Sequence, residues 1–194
     1  ELLHDGEILF SRWDASGLVT VHKKLGSINL RVNGKVEASS EGDMLTQILT
    51  SHLPLVVHSA PRDVLVIGFG SGATTAAALK HDVASVDCVE ISPAVIEASG
   101  YFAEQLGHPR RDARLRLTVG DARTHVRFAD RTYDAIIAQP SNLWISGNGT
   151  LFTRDHFELC RSRLRPGGLM CQWLHGYRLP SDDFRSVVAT FQSV

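Results

Sequence analysis

The run VLVIGFGSGATTAAALK, residues 64–80, constrains this chain more than any other stretch. A short apolar, β-branched run ends in glycines at alternate positions, Gly68, Gly70 and Gly72, and an alanine-rich helical run follows at once. Such an unbroken apolar strand reads as buried on both faces. Glycines between strand and helix permit a tight turn and let backbone N–H groups approach a ligand at the helix N-terminus. The alternation then continues. Strand candidates at 64–68, 85–90, 114–120, 133–139 and 168–174 are separated by helix candidates near 72–81, 93–106, 121–129 and 153–164, with a last helix at 181–193. This order predicts an α/β, Rossmann-like domain over residues 43–194, a parallel sheet with helices on both faces. An open sheet of this type ordinarily carries one more element after that helix, so a truncated C-terminus is expected.

Residues 1–42 read differently. EILFSRW, GLVTVHKK and SINLRV-NG-KVEAS alternate with period two and break at Gly and Asn-Gly, which predicts a small antiparallel β-domain. Asn33-Gly34 is a type I′ hairpin signal. In DMLTQILTSHLPLVVH, residues 43–58, apolar positions recur at helical spacing, with Asp43 placed to cap the start and Pro54 to kink or end the run.

Composition matters mainly for what it excludes. With 20 basic and 21 acidic residues and a formal net charge of −1, the chain has no electrostatic footprint for nucleic acid or an anionic membrane surface. Its arginine clusters are interleaved with acids and read as solvated faces. No apolar stretch reaches the length of a membrane span. Cys88, Cys160 and Cys171 are odd in number and far apart, which argues for reduced core thiols in a cytoplasmic setting, with no disulfide frame and no metal site.

Two acids turn the glycine turn into a candidate ligand crevice. Glu90 ends the next strand, 22 residues after Gly68, where an acid can accept both hydroxyls of a ribose. Asp121 follows the third strand, where an adenine amino group would lie. Each also has a plain reading, Glu90 as a helix-capping acid ahead of Ser92-Pro93 and Asp121 as an N-cap. The turn is GxGxG rather than the dinucleotide GxGxxG, and with the acid after the third strand it points to an S-adenosyl ligand instead of NAD.

LRVNGKVEAS, HLPLVVH, VLVIGFGSGATTAAALKH, VDCVEISPAVIE, LTVGDA, YDAIIAQPSN and LFTRDHFELCRSRLRPGGLMCQW occur in collinear order from about residue 18 onward. In these segments the chain resembles the spermidine synthase (polyamine aminopropyltransferase) family, with its PSN-x-W stretch most similar to a divergent bacterial branch. The resemblance implies a small N-terminal β-domain before a methyltransferase-like Rossmann domain, decarboxylated S-adenosylmethionine as donor, a small-molecule amine acceptor and a tendency to form homodimers. It implies that Glu90, with Ile91 beside it, meets the ribose, and that Asp121-Ala122 meets the adenine. Gln47 matches a donor-contacting glutamine, Gly68, Gly70 and Gly72 form the turn, and Glu37 stands where the family has Gln, as an altered contact on the cofactor side.

The reacting end departs from that pattern. Ser71 stands in place of the turn's Asp, Gln139 and Asn142 replace the D-x-x-D pair after the fourth strand, and Thr46 replaces a Tyr. An alkylamine, with a pKa near lysine's at about 10.4, is protonated at neutral pH, and a carboxylate can both hold it and take its proton. An amide does neither. Hydrogen bonds to charged groups contribute about 1.5–3 kcal/mol each, so these exchanges predict much weaker diamine binding and a missing general base. His175, just past the fifth strand, is a replacement base or a surface loop histidine. Tyr177 is a second candidate. Trp144 is an apolar wall for a ligand or a core residue. Three functions stay open: a spermidine synthase-like transferase with weak polyamine activity, a methyltransferase using intact S-adenosylmethionine, and a non-catalytic nucleoside-binding regulatory domain.

Overall fold

The computed structural model describes residues 6–143, 145 and 147–194. Strands β1 (Glu7–Asp14), β2 (Gly17–Lys24), β3 (Ser27–Val32) and β4 (Lys35–Ser39) form an antiparallel sheet in sequence order. Asn33 and Gly34 take φ of 51° and 80°, and Val32 pairs with Lys35. This is the two-residue turn whose twist suits a hairpin.

Helix α1 (Met44–Val57) follows. Asp43 stands at its N-cap without a side-chain cap bond, and the helix runs through Pro54. Three of its residues and the His58 cap follow the proline, so Pro54 removes one late hydrogen bond without ending the helix there.

Strands β5 (Asp63–Ile67), β6 (Ser85–Glu90), β7 (Leu115–Val119), β8 (Tyr133–Ala138) and β9 (Leu164–Gln172) make a five-stranded parallel sheet in the order β7-β6-β5-β8-β9. The intervening helices are α2 (Ala73–Ala78), α3 (Pro93–Ala98), α4 (Ala122–Phe128) and α5 (Arg154–Ser162), and α6 (Ser181–Gln192) follows β9. The third helical run is shorter than its sequence predicts, because α3 tightens into a 3-10 turn over Ser99–Phe102. The last strand starts four residues earlier than expected, taking in Arg165 and Pro166.

Period-two side chains place Val64, Val66, Val86, Cys88, Ala135 and Ile137 on one face, under Leu55, Leu79 and Ile96. Leu65, Ile67, Val89, Ile136 and Ala138 line the other face with Val126 and Cys160. The small sheet packs on α3: Val19, Val21, Leu30 and Ala38 meet Ala94, Val95, Ala98 and Phe102. Asp14 fastens this junction by accepting from Ser92 Oγ at 2.5 Å and the Ala94 N–H at 3.1 Å.

Cys88 and Cys160 are buried free thiols and Cys171 is half-buried. Burial raises all three, Cys160 to about 12. Among the described residues no helix is long and apolar enough to cross a membrane.

Candidate functional site at the carboxyl ends of the parallel strands

The order of the large sheet reverses between β5 and β8. In open α/β sheets ligand crevices form outside the carboxyl ends of the strands at such a point. Gly68, Gly70, Gly72, Asp121 and Gln139 follow the carboxyl ends of β5, β7 and β8, and Glu90 is the last residue of β6. Three backbone bonds continue the ladder there: Gly68 N–H donates to Val89 O at 2.9 Å, Gly120 N–H to Glu90 O at 2.9 Å, and Gln139 N–H to Ile67 O at 3.0 Å.

Gly68 sits at φ 90°, and a Cβ there would lie 3.0 Å from the Gln139 carbonyl oxygen. Side chains are therefore excluded where β5 meets β8. Gly70 is also left-handed, but a Cβ on it meets no heavy atom within 4 Å, so its backbone borders open space.

Glu90 is 8% exposed. Its carboxylate accepts from the Phe69 N–H at 2.8 Å and the Ser92 N–H at 2.9 Å. Burial drives its pKa up, and the surrounding backbone N–H groups only partly oppose that. The acid therefore joins β6 to the glycine turn and also serves the start of α3. A carboxylate offers about four lone-pair positions, and the Gly70 and Ile91 N–H groups also face this one. Asp121 caps α4 through Oδ1, which accepts from the Thr124 N–H at 2.8 Å, and it is exposed. Ile91 is exposed and Ala122 packs against the core.

The other side of the turn is a chain of neutral groups. Ser71, almost fully buried, donates to Gln47 Oε1 at 2.7 Å. Thr74 Oγ lies 3.0 Å from Gln47 O and bonds to the Gln139 side-chain amide. Gln47 Nε2 is buried with no protein partner, which is a donor left for a ligand acceptor. Thr46 is half-buried on α1, its carbonyl taken by Thr50 Oγ at 2.8 Å.

Asn142 is fully buried, and neither atom of its side-chain amide has a partner. Its backbone carbonyl accepts from the Ile145 N–H at 3.0 Å. The preceding residue, Ser141, donates to Glu37 Oε2 at 2.6 Å, and Glu37 Oε1 is 2.9 Å from Lys35 Nζ. Glu37 of the small sheet is thereby tied to the loop after β8. Trp144 lies outside the described residues.

His175 is half-buried beyond β9. Trp173 Nε1 donates to its Nε2 at 3.1 Å, and Nδ1 has no partner. Burial, and then the charge of Lys35, push its pKa below the usual histidine value, with Asp43 opposing. That shift favours the neutral ring, and in it the indole bond assigns the proton to Nδ1. In this arrangement His175 presents a donor; it acts as a base only by releasing Trp173. Tyr177 is exposed with its ring 5.2 Å from that of His175.

Sequence reasoning missed Thr74, Ser141, Lys35 and Trp173. Two of these left a local signal: Lys35 and Glu37, like Trp173 and His175, are two apart, so an extended backbone puts them on one side. Two cavities, of about 450 and 320 Å³, lie beside Gly107–Arg111, and the smaller reaches Phe69 and Ser71. They flank the turn on the α2 side, and none of Glu90, Asp121 or Gln139 lines them.

A parallel sheet with this order, a glycine turn after its central strand and acids after the next two strands define an α/β protein of the methyltransferase-like Rossmann class. A family model described as spermine/spermidine synthase domain matches residues 44–194, and the chain belongs to that family. It is 33% identical over 164 residues to a spermidine synthase of Dictyostelium discoideum, covering 81% of this chain and 57% of that protein. It is 34% identical over 153 residues to putrescine N-methyltransferase 2 of Nicotiana attenuata, covering 75% of this chain and 41% of that protein. The chain thus spans about half the length of these relatives. A crystal structure of a spermidine synthase in complex with the transition-state analogue AdoDATO superposes with a TM-score of 0.75 at 24% identity, over 81% of this chain and 55% of that one.

Proposed function

We propose that the crevice at the ends of β5, β6 and β8 takes decarboxylated S-adenosylmethionine or a closely related S-adenosyl donor, and that the protein transfers the donor's alkyl group to a small-molecule nucleophile. One observation carries this reading: the buried Glu90 carboxylate is joined to the glycine turn through the Phe69 N–H at 2.8 Å. It stands where a ribose can be held, and the solved spermidine synthase with its bound analogue is similar in fold. The residues fit such a donor. Gly70 leaves open space, and Gln47 Nε2 awaits an acceptor.

Transfer forms a bond from the nucleophile to the carbon beside the sulfonium and breaks that carbon's bond to sulfur, which keeps the electron pair. The protein's part is to align the two and to receive a proton. Ser71, Gln47, Thr74 and Gln139 form a neutral hydrogen-bonded wall that orients without attracting a dication. Simple diamines are therefore weak acceptors in this reading.

A methyltransferase reading is favoured by the putrescine N-methyltransferase relative and by Ser71, whose neutrality removes repulsion against the carboxylate of intact S-adenosylmethionine. Calorimetry with both donors separates the two. Tighter binding of the decarboxylated donor supports aminopropyl transfer, and tighter binding of the intact donor supports methyl transfer. Glu90→Ala is expected to weaken either donor at least tenfold; unchanged binding in that variant would remove the crevice argument.

A further inference from the structure

Lys35 and Glu37 stand two residues apart on β4, and both reach the loop after β8. Lys35 Nζ is 2.9 Å from Glu37 Oε1 and 3.5 Å from Ser141 Oγ; Ser141 donates to Glu37 Oε2 at 2.6 Å. The Lys35 and Glu37 side chains are 29% and 14% exposed, so the pair is largely withdrawn from water. Ser141 lies between Gln139 and Asn142, the two amides that replace carboxylates at the acceptor end. Glu37 is the carboxylate hydrogen-bonded into this loop among the described residues. Both of its oxygens are engaged, one by a cation.

We propose that Lys35 sets the charge of the acceptor end: its ammonium occupies the place on Glu37 that the second ammonium of a diamine would take, so the crevice selects an acceptor with no second cationic centre. The inference rests on the S-adenosyl reading above. Its physical basis is that a half-buried carboxylate binds one cation well, and a second cation beside Lys35 meets like charge in a medium that screens weakly.

The test is calorimetry on the folded protein with 1,4-diaminobutane and 1-aminobutane as probes, each with 5′-methylthioadenosine present. Lys35→Met is expected to raise diamine affinity about tenfold, the effect of one charge-assisted contact, and to leave the monoamine within about twofold. Lys35→Arg keeps the diamine weak. Adding Glu37→Gln to Lys35→Met abolishes the gain. Should Lys35→Met fold poorly, Lys35→Gln reads the same quantity. Unchanged diamine affinity, or a gain that survives Glu37→Gln, overturns the role of Lys35 while methylthioadenosine binding leaves the S-adenosyl reading standing. Failure of wild-type protein to bind methylthioadenosine overturns the S-adenosyl reading and this inference with it.

Discussion

Gln139 and Asn142 look equivalent in sequence, two amides in the run after the fourth strand, yet they stand in different surroundings. Gln139 is half-buried and bonded to Thr74, whereas Asn142 is fully buried with both amide atoms unpaired. An unpaired buried amide costs about 1–3 kcal/mol, and an unpaired buried carboxylate costs more. Gln139→Asp is therefore expected to fold and to raise diamine affinity about tenfold by calorimetry. Asn142→Asp should lower stability by about 2 kcal/mol in chemical denaturation. Equal stability of the two variants would mean that the Asn142 pocket admits water.

Helix α1 meets the turn after α2 at a histidine pair, His52 Nδ1 and His81 Nε2 lying 2.7 Å apart. One shared proton serves this contact, and a second puts like charges together. Burial, and then the proximity of His52, depress the His81 pKa. A histidine with a depressed folded pKa contributes stability that is present above its unfolded value, about 6.5, and is lost as pH falls through the folded value. Thermal unfolding of the wild type should thus weaken as pH falls below about 6.5, and His81→Gln should flatten that limb. An identical pH profile in the variant would place the acid sensitivity elsewhere.

Across the molecule, chemistry and stabilisation sit at opposite ends of the parallel sheet. The crevice is at the carboxyl ends, and a charge network ties together the amino ends. Arg165 reaches Asp63 at 2.6 Å and Asp134 at 2.8 Å, while Arg131 bridges Asp63 and Asp87 at 2.8 and 3.4 Å. Burial alone would raise Asp63 and Asp134. Hydrogen bonds from Ser85 to Asp63, from backbone N–H groups to Asp134 and from Arg165 to both outweigh it and hold both acids low. Their contribution is present above the unfolded carboxylate value, about 3.9, and fades as pH falls through the lower folded values. Arg165→Met should cost about 2 kcal/mol and lower Tm by about 4–8 °C. A shift under 1 °C would show that the network adds little.

The amino-acid order alone determined the alternation of strands and helices, the Asn33-Gly34 hairpin, the glycine turn, and the placement of Glu90 and Asp121 after successive strands. Each follows from local periodicity or turn chemistry. It also placed neutral side chains, Ser71, Gln139 and Asn142, at the strand ends. The tertiary structure alone decided that Ser141 meets Glu37 across 104 residues, that Arg165 meets Asp63 across 102, and that Asn142 is sealed while Gln139 is not. Periodicity reports which face of an element is buried. Which side chains then meet across elements depends on strand order and on how the small sheet packs against α3, and no local pattern in the sequence encodes either.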